Sequence, residues 1–289
     1  MRFALVINPT SGRHKGAVIG REAAALLGAA GHEVISLQGE NASDARDQLK
    51  QAIDEGLDSV VVIGGDGALH GVLDHIADSD LTFGLIPAGT GNDTARTLDI
   101  PLKDTKSAVD ILLRGKTRTI DLAMAGEAFV ATVVASGFDS KVNERANAMT
   151  WPRGNMRYNI AILAELKVFE PLPFIIDLDG EVIERDAMLV AVGNGPSFGG
   201  GLRMCEGAVI DDGYLDVVII NPVSKVELLK VFPKLSKGTH VTHPSYEHHL
   251  VKNVTISSPG IVAYGDGERL GTLPITISAR PGVLRVFVP

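Results

Sequence analysis

Ser59-Val-Val-Val-Ile-Gly-Gly-Asp-Gly67 decides how this chain is read. Its apolar half does not alternate with polar residues, so it predicts a strand covered on both faces, as in a parallel sheet flanked by helices. Its glycine-rich half predicts a tight turn into a helix, where backbone N–H groups can approach a phosphate closely. The surroundings repeat the unit. Apolar runs at 3–7, 32–37 and 82–86 alternate with helical patterns at about 15–30, 42–55 and 68–77. A β-α-β-α-β-α-β order predicts a doubly wound α/β domain whose ligands gather at the carboxyl ends of its strands.

Beyond about residue 119 the pattern changes to short runs rich in β-branched residues, at 129–135, 174–178, 187–192, 215–220, 251–257, 261–264, 274–278 and 283–288. These predict a mainly antiparallel β-sandwich, interrupted by helices at about 141–169 and 224–235. The expected fold class is α/β plus all-β. One domain covers 1–125, with 280–289 free to return to it, and the sandwich covers 126–279.

Composition limits what such a chain can do. Its 289 residues, 45% hydrophobic, are ample for a large core, and a single cysteine, Cys205, excludes an internal disulfide or a multi-cysteine metal site. That usage leads us to expect a reducing, cytoplasmic setting. The run Phe3 to Ile7 comes with no basic n-region, long h-region or cleavage site and reads as a strand. No apolar stretch approaches the roughly 18 to 20 residues that span a bilayer, so membrane contact is expected to be peripheral. A net charge of −8 argues against a nucleic-acid partner.

Three loops of small or hydroxylated residues follow apolar strands: Asn8-Pro9-Thr10-Ser11-Gly12, Gly64-Gly65-Asp66-Gly67 and Pro87-Ala-Gly-Thr90-Gly-Asn-Asp93. Along one sheet edge they would form a phosphate cradle without a P-loop lysine, since neither G-x-x-x-x-G-K-[ST] nor G-x-G-x-x-G occurs. Asp66, Asp93 and Asp121 all follow strands, and carboxylates beside phosphates suit Mg²⁺. Asp66 and Asp93 could equally cap helices, and Asp266-Gly267 is a strong hairpin signal.

Val61-Val-Ile-Gly-Gly-Asp-Gly67 and Ile86-Pro-Ala-Gly-Thr-Gly-Asn-Asp93, after Asn8-Pro-Thr-Ser-Gly12, resemble the diacylglycerol kinase catalytic family. In the second half the resemblance rests on Asn194-Gly195, Gly199-Gly-Gly201, Asp212-Gly-Tyr-Leu-Asp216 and Asp266-Gly-Glu268. It implies a phosphofructokinase-like nucleotide domain followed by a β-sandwich, and an ATP-dependent lipid kinase, most readily one that converts diacylglycerol to phosphatidic acid. It further implies ATP contacts from residues 8–12, from Gly64, Gly65, Asp66, Gly67, Ala68, Leu69 and His70, and from Thr90. Asp66, Asp93 and Asp121 would form a Mg²⁺ and water network, and Glu268 would be the base. A second, structural Mg²⁺ or Ca²⁺ would map to Val209, Asp212 and Tyr214. Ala68 stands where the family usually has threonine, and His70-Gly71 where it has Asn-Glu.

Two segments suit a lipid surface. Residues 141–170 carry net +2, including Arg153, with Met149, Trp151, Met156 and Tyr158 interleaved. Residues 221–253 carry net +3, and Val226, Leu229 and Phe232 share a helical face there. Both could instead be ordinary amphipathic helices over the sandwich. His240, His243, His248 and His249 imitate a metal site, but a surface loop is the expectation. Alternatives to diacylglycerol are another lipid (a sphingoid base, ceramide, phosphatidylglycerol), a soluble acceptor as in NAD kinases, or a catalytically silent lipid-binding protein. The sequence leaves oligomeric state open, a homodimer included.

Overall fold

The computed structural model describes residues 1–151 and 155–289, so Arg153 lies outside the described residues. The first half runs β1 (Arg2–Ile7), α1 (Ser11–His14), α2 (Gly16–Ala29), β2 (Glu33–Leu37), α3 (Ala42–Asp54), β3 (Ser59–Gly64), α4 (Asp66–Ile76), β4 (Thr82–Pro87), α5 (Asp93–Thr97) and α6 (Thr105–Arg114). The second runs β5 (Thr117–Ala125), β6 (Ala128–Val130), β7 (Val133–Gly137), α7 (Phe138–Ala148), α8 (Asn155–Val168), β8 (Leu172–Leu178), β9 (Glu181–Ala187), β10 (Leu189–Gly193) and β11 (Leu215–Ile220). It continues through α9 (Lys225–Leu235), β12 (Tyr246–Val251), β13 (Asn253–Ser257), β14 (Val262–Gly265), β15 (Glu268–Thr272) and β16 (Ile275–Phe287).

β2, β1, β3 and β4 lie side by side and parallel, and every residue of β3 and β4 is buried. The continuous apolar runs therefore have the two-sided cover they require, and each such Val or Ile contributes roughly 1.5–3 kcal/mol. Helix ends follow local chemistry: Asn41 accepts from the N–H groups of Ser43 and Asp44 to start α3, and Asp104 accepts from Ser107 to start α6.

The sheet does not stop at the first domain. β16 runs antiparallel to β5 from Ile277 opposite Ala125 to Phe287 opposite Thr117. Its first part also pairs with β13 and its last part lies parallel to β4. The two strands expected at 274–278 and 283–288 are thus one long strand, and a ten-stranded sheet crosses both halves. A second, six-stranded antiparallel sheet in the order β12-β11-β10-β7-β14-β15 faces it. Val134, Phe174, Ile176, Val190, Val217, Val254 and Ile277 fill the space between them.

The helix expected over 141–169 is instead two helices, α7 and α8. They pack on each other through Val142, Ala146 and Ala161. No described helix is long and apolar enough to cross a membrane.

Candidate functional site

β1, β3 and β4 are neighbours, so the loops that follow them meet. Gly64 O accepts from the N–H groups of Ala88 and Gly89 at 2.8 and 3.2 Å. Where the second and third loops cross, a methyl on Gly89 would lie 2.5 Å from Gly65 Cα, so only glycine permits the approach. Asn92, in the left-handed region at φ 56°, grips Gly89 through both its N–H and its carbonyl. In the first loop Asn8 Oδ1 accepts from Thr10 N–H and Oγ1, at 3.1 and 2.9 Å. The structure therefore gathers Asn8, Pro9, Thr10, Ser11, Gly12, Gly64, Gly65, Asp66, Gly67 and exposed Thr90 around one sheet edge.

Leu69 does not join them. It is 1% exposed, with Val72, Leu73 and Ile76 on the core face of α4, and its N–H bonds to Gly65 O. Helical periodicity turns it inward and His70 elsewhere, while Ala68 Cβ stays against the loop, 2.6 Å from where a methyl on Gly64 would sit. His70 faces the second half of the chain, with Nδ1 3.8 Å from Asp266 Oδ2.

Asp66 opens α4 but caps a different helix. Its oxygens accept from the N–H groups of Asp93 and Thr94, both at 3.1 Å, at the start of α5. Burial pushes its carboxyl above the ordinary range; the N–H of Thr94 opposes this, and the charges of Asp93 and Asp266 push it further up. Asp93 reaches across the seam, accepting from Gly200 and Gly201 N–H, both at 2.7 Å. Asp66 and Asp93 converge over Gly91, where a methyl would lie 3.0 and 3.3 Å from their respective Oδ2 atoms. Two carboxylates so close, one with its pKa raised by burial, fit a divalent cation that removes their repulsion, and Asp66 is its candidate ligand.

Asp121 sits apart from that pair. Its oxygens accept from Gly213 and Gly282 N–H at 2.7 and 2.8 Å. Gly282 lies in the irregularity of the β5–β16 register, so Asp121 satisfies an N–H that the ladder drops. Each oxygen keeps a second lone pair that could hold water.

Asp266 and Gly267 form a two-residue hairpin turn between β14 and β15, with φ of 51° and 86°. The hairpin reading is correct, and it also aims Glu268. Glu268 is exposed, and its Oε1 would lie 2.7 Å from a methyl on Gly67. The base candidate from one end of the chain thus touches the glycine loop from the other. Asp266 was not singled out among the candidate residues, although it anchors the hairpin. Its buried carboxylate accepts from Ala131 N–H at 2.7 Å, Thr132 N–H at 2.9 Å and Thr132 Oγ1 at 2.6 Å. Its sequence signals were the turn and its place in the Asp266-Gly-Glu268 run that carries the resemblance.

Val209 and Tyr214 are partly exposed, Asp212 is exposed, and Asp212 Oδ1 accepts from Tyr214 N–H at 3.0 Å. That turn offers the Asp212 carboxylate, while the neighbouring Asp211 pairs with Arg118 at 3.1 Å. The four histidines have separate partners: His240 with Met204 O, His243 with Glu227, His248 with Asp216 and His249 with Glu247. No three metal-ligating side chains cluster among the described residues.

Residues 2–125 match the family model described as diacylglycerol kinase catalytic domain, and residues 132–288 match the YegS C-terminal NAD kinase beta sandwich-like domain. A diacylglycerol kinase of Mycobacterium tuberculosis is 44% identical over all of this chain and 95% of its own length. A solved diacylglycerol kinase from Bacillus anthracis shares the fold over all of this chain and 97% of its own, at TM-score 0.79 and 23% identity. An NAD kinase from Archaeoglobus fulgidus, solved with ATP, shares it at TM-score 0.56 and 12% identity over 99% of this chain and 93% of its own.

Proposed function

The chain belongs to the diacylglycerol kinase catalytic family, and from that premise we propose that it transfers the ATP γ-phosphoryl group to the hydroxyl of diacylglycerol, giving phosphatidic acid. The observation that carries the reading is the contact of Glu268 with Gly67. A carboxylate brought against the nucleotide loop is placed to accept the proton a lipid hydroxyl loses as it attacks. Glycine N–H groups of the three loops would hold the polyphosphate, with the N-terminus of α4 adding favourable potential. Mg²⁺ at Asp66 would supply neutralisation of the phosphate charge.

The lipid has to be met at a bilayer, and α8 and α9 suit that role. Lys225 Nζ at the start of α9 bonds to Lys167 O at 2.6 Å and pairs with Glu170 at 3.6 Å, so the two basic segments adjoin. Leu163 of α8 and Val226 and Leu229 of α9 are more than half exposed, as are Trp151 and Met156 before and at the start of α8, whereas Phe232 turns inward against the second sheet. Lys234 and Lys237 are exposed and make no ion pair among the described residues. An apolar surface edged by lysines fits anionic lipid.

Labelled Mg-ATP with vesicles carrying diacylglycerol, sphingosine, ceramide or phosphatidylglycerol, and with soluble NAD, tests both parts. Labelled phosphatidic acid from the diacylglycerol vesicles, and salt-sensitive sedimentation with them, are expected. Phosphorylation of another acceptor alone would overturn the substrate. Turnover without vesicle binding would remove the docking surface.

A further inference from the structure

We propose that His70 is a positioning residue of the phosphoryl-transfer site, its imidazole tying the nucleotide helix α4 to the β14–β15 hairpin that carries Glu268. The inference rests on Glu268 being the base, and it moves His70 from the nucleotide side of the site to the acceptor side.

The geometry begins with the face of α4. Residues three apart on a helix are neighbours, so Gly67, against which Glu268 Oε1 rests, and His70 look toward the same hairpin. The His70 side chain is 19% exposed and that of Asp266 not at all. Nδ1 is buried and makes no hydrogen bond, and at 3.8 Å from Asp266 Oδ2 the contact is an ion pair. Asp266 is fixed by three donors from Ala131 and Thr132, so it cannot move to meet the ring. A charged imidazole in that gap is attracted to a rigid anchor on one side and to the base on the other. A neutral one leaves Nδ1 buried with nothing to bond.

The surroundings favour the charged form. The Asp266 carboxylate raises the imidazole above its ordinary value, burial opposes this, and Glu268 from the hairpin and Asp74 from α4 raise it further. β6, which also packs on α4, contributes Ala128, Phe129 and Val130 and no charge. A histidine raised in this way keeps its attraction to the hairpin below its ordinary pKa and loses it as pH rises through the shifted one.

The first test is an NMR titration of the His70 imidazole in the full chain, assigned by the signal missing from His70→Asn. In the wild type it should titrate above the ordinary value of about 6.5, and in Glu268→Gln at lower pH than in the wild type. The second is kinetic. His70→Asn should lower kcat about 3- to 10-fold, as expected when a largely buried charge contact that positions the base is lost, and leave KM for ATP within about twofold. It should also lack the alkaline decline in kcat that the wild type shows as His70 deprotonates. A merely structural histidine would move neither the titration nor the pH profile. Titration at or below the ordinary value, indifference to Glu268→Gln, or a raised KM for ATP with kcat intact overturns the proposal. If His70→Asn does not fold, the titrations of wild type and Glu268→Gln decide alone. Normal turnover by Glu268→Gln overturns the base itself, a result independent of where His70 titrates.

Discussion

Three carboxylates cross the seam between the two halves, and two of these crossings differ most. At one, Glu268 is exposed and rests on Gly67, with no hydrogen bond holding its oxygens among the described residues. At the other, Asp121 is 4% exposed and both oxygens are bound by backbone N–H groups of Gly213 and Gly282. A carboxylate with free lone pairs facing a phosphate loop can accept a proton, whereas a buried one bonded by two backbone donors chiefly holds strands together. Asp93 stands between them: beside Asp66 and the glycine loops, yet bound to Gly200 and Gly201.

The largest expected effect tests the first crossing. Glu268→Gln should reduce kcat by about 10² to 10⁴, the range for loss of a general base, while its melting temperature stays within a degree or two of wild type. Near-normal turnover would erase the difference between the crossings. Asp121→Asn tests the second. An amide cannot accept from both glycines as the carboxylate does, so chemical denaturation should show a loss of roughly 2 to 4 kcal/mol. An unchanged denaturation midpoint would show that Asp121 does not tie β5 to β16.

The smallest effect concerns a carboxylate that belongs to neither crossing. Asp139, in the first turn of α7, is pushed up to about 7 by burial, opposed only by the Asn143 amide at 3.0 Å. An acid raised on folding binds its proton more tightly in the native state, so it makes the protein lose stability as pH rises from about 4 to 7. Asp139→Asn keeps the Asn143 contact without the charge. Its melting temperature should equal that of wild type at pH 4 and exceed it by a few degrees at pH 7, in line with a gain of about 1 kcal/mol. A constant difference across that range would mean that Asp139 is not desolvated.

Much of the α/β half is legible in the sequence because its signals are local. The runs at 3–7, 59–63 and 82–86 could be strands only if covered on both faces, and Gly64-Gly65 could only be a turn. The break between α7 and α8 has a local signal in Pro152 and Gly154, both poor residues for a helix interior, and reading 141–169 as one helical stretch passed over it. The merging of 274–278 with 283–288 was hidden by Pro281-Gly282, which punctuates the sequence as a turn but in the fold is a register irregularity inside β16. Leu69 was drawn to the nucleotide by its place in the loop's wake, and the hydrophobic face of α4 claimed it.

The sequence by itself determined the parallel strands of the first half, the three small-residue loops, the Asp266-Gly267 turn and the residues able to do phosphoryl chemistry, because backbone freedom and apolar patterning act over a few neighbours. Only the tertiary structure decided which carboxylates meet which backbones. Glu268 lies on Gly67, Asp93 on Gly200, Asp121 on Gly282 and His70 beside Asp266 because one long strand, β16, carries the sheet across both halves. Contacts between residues so far apart along the chain depend on that register, which no local pattern encodes.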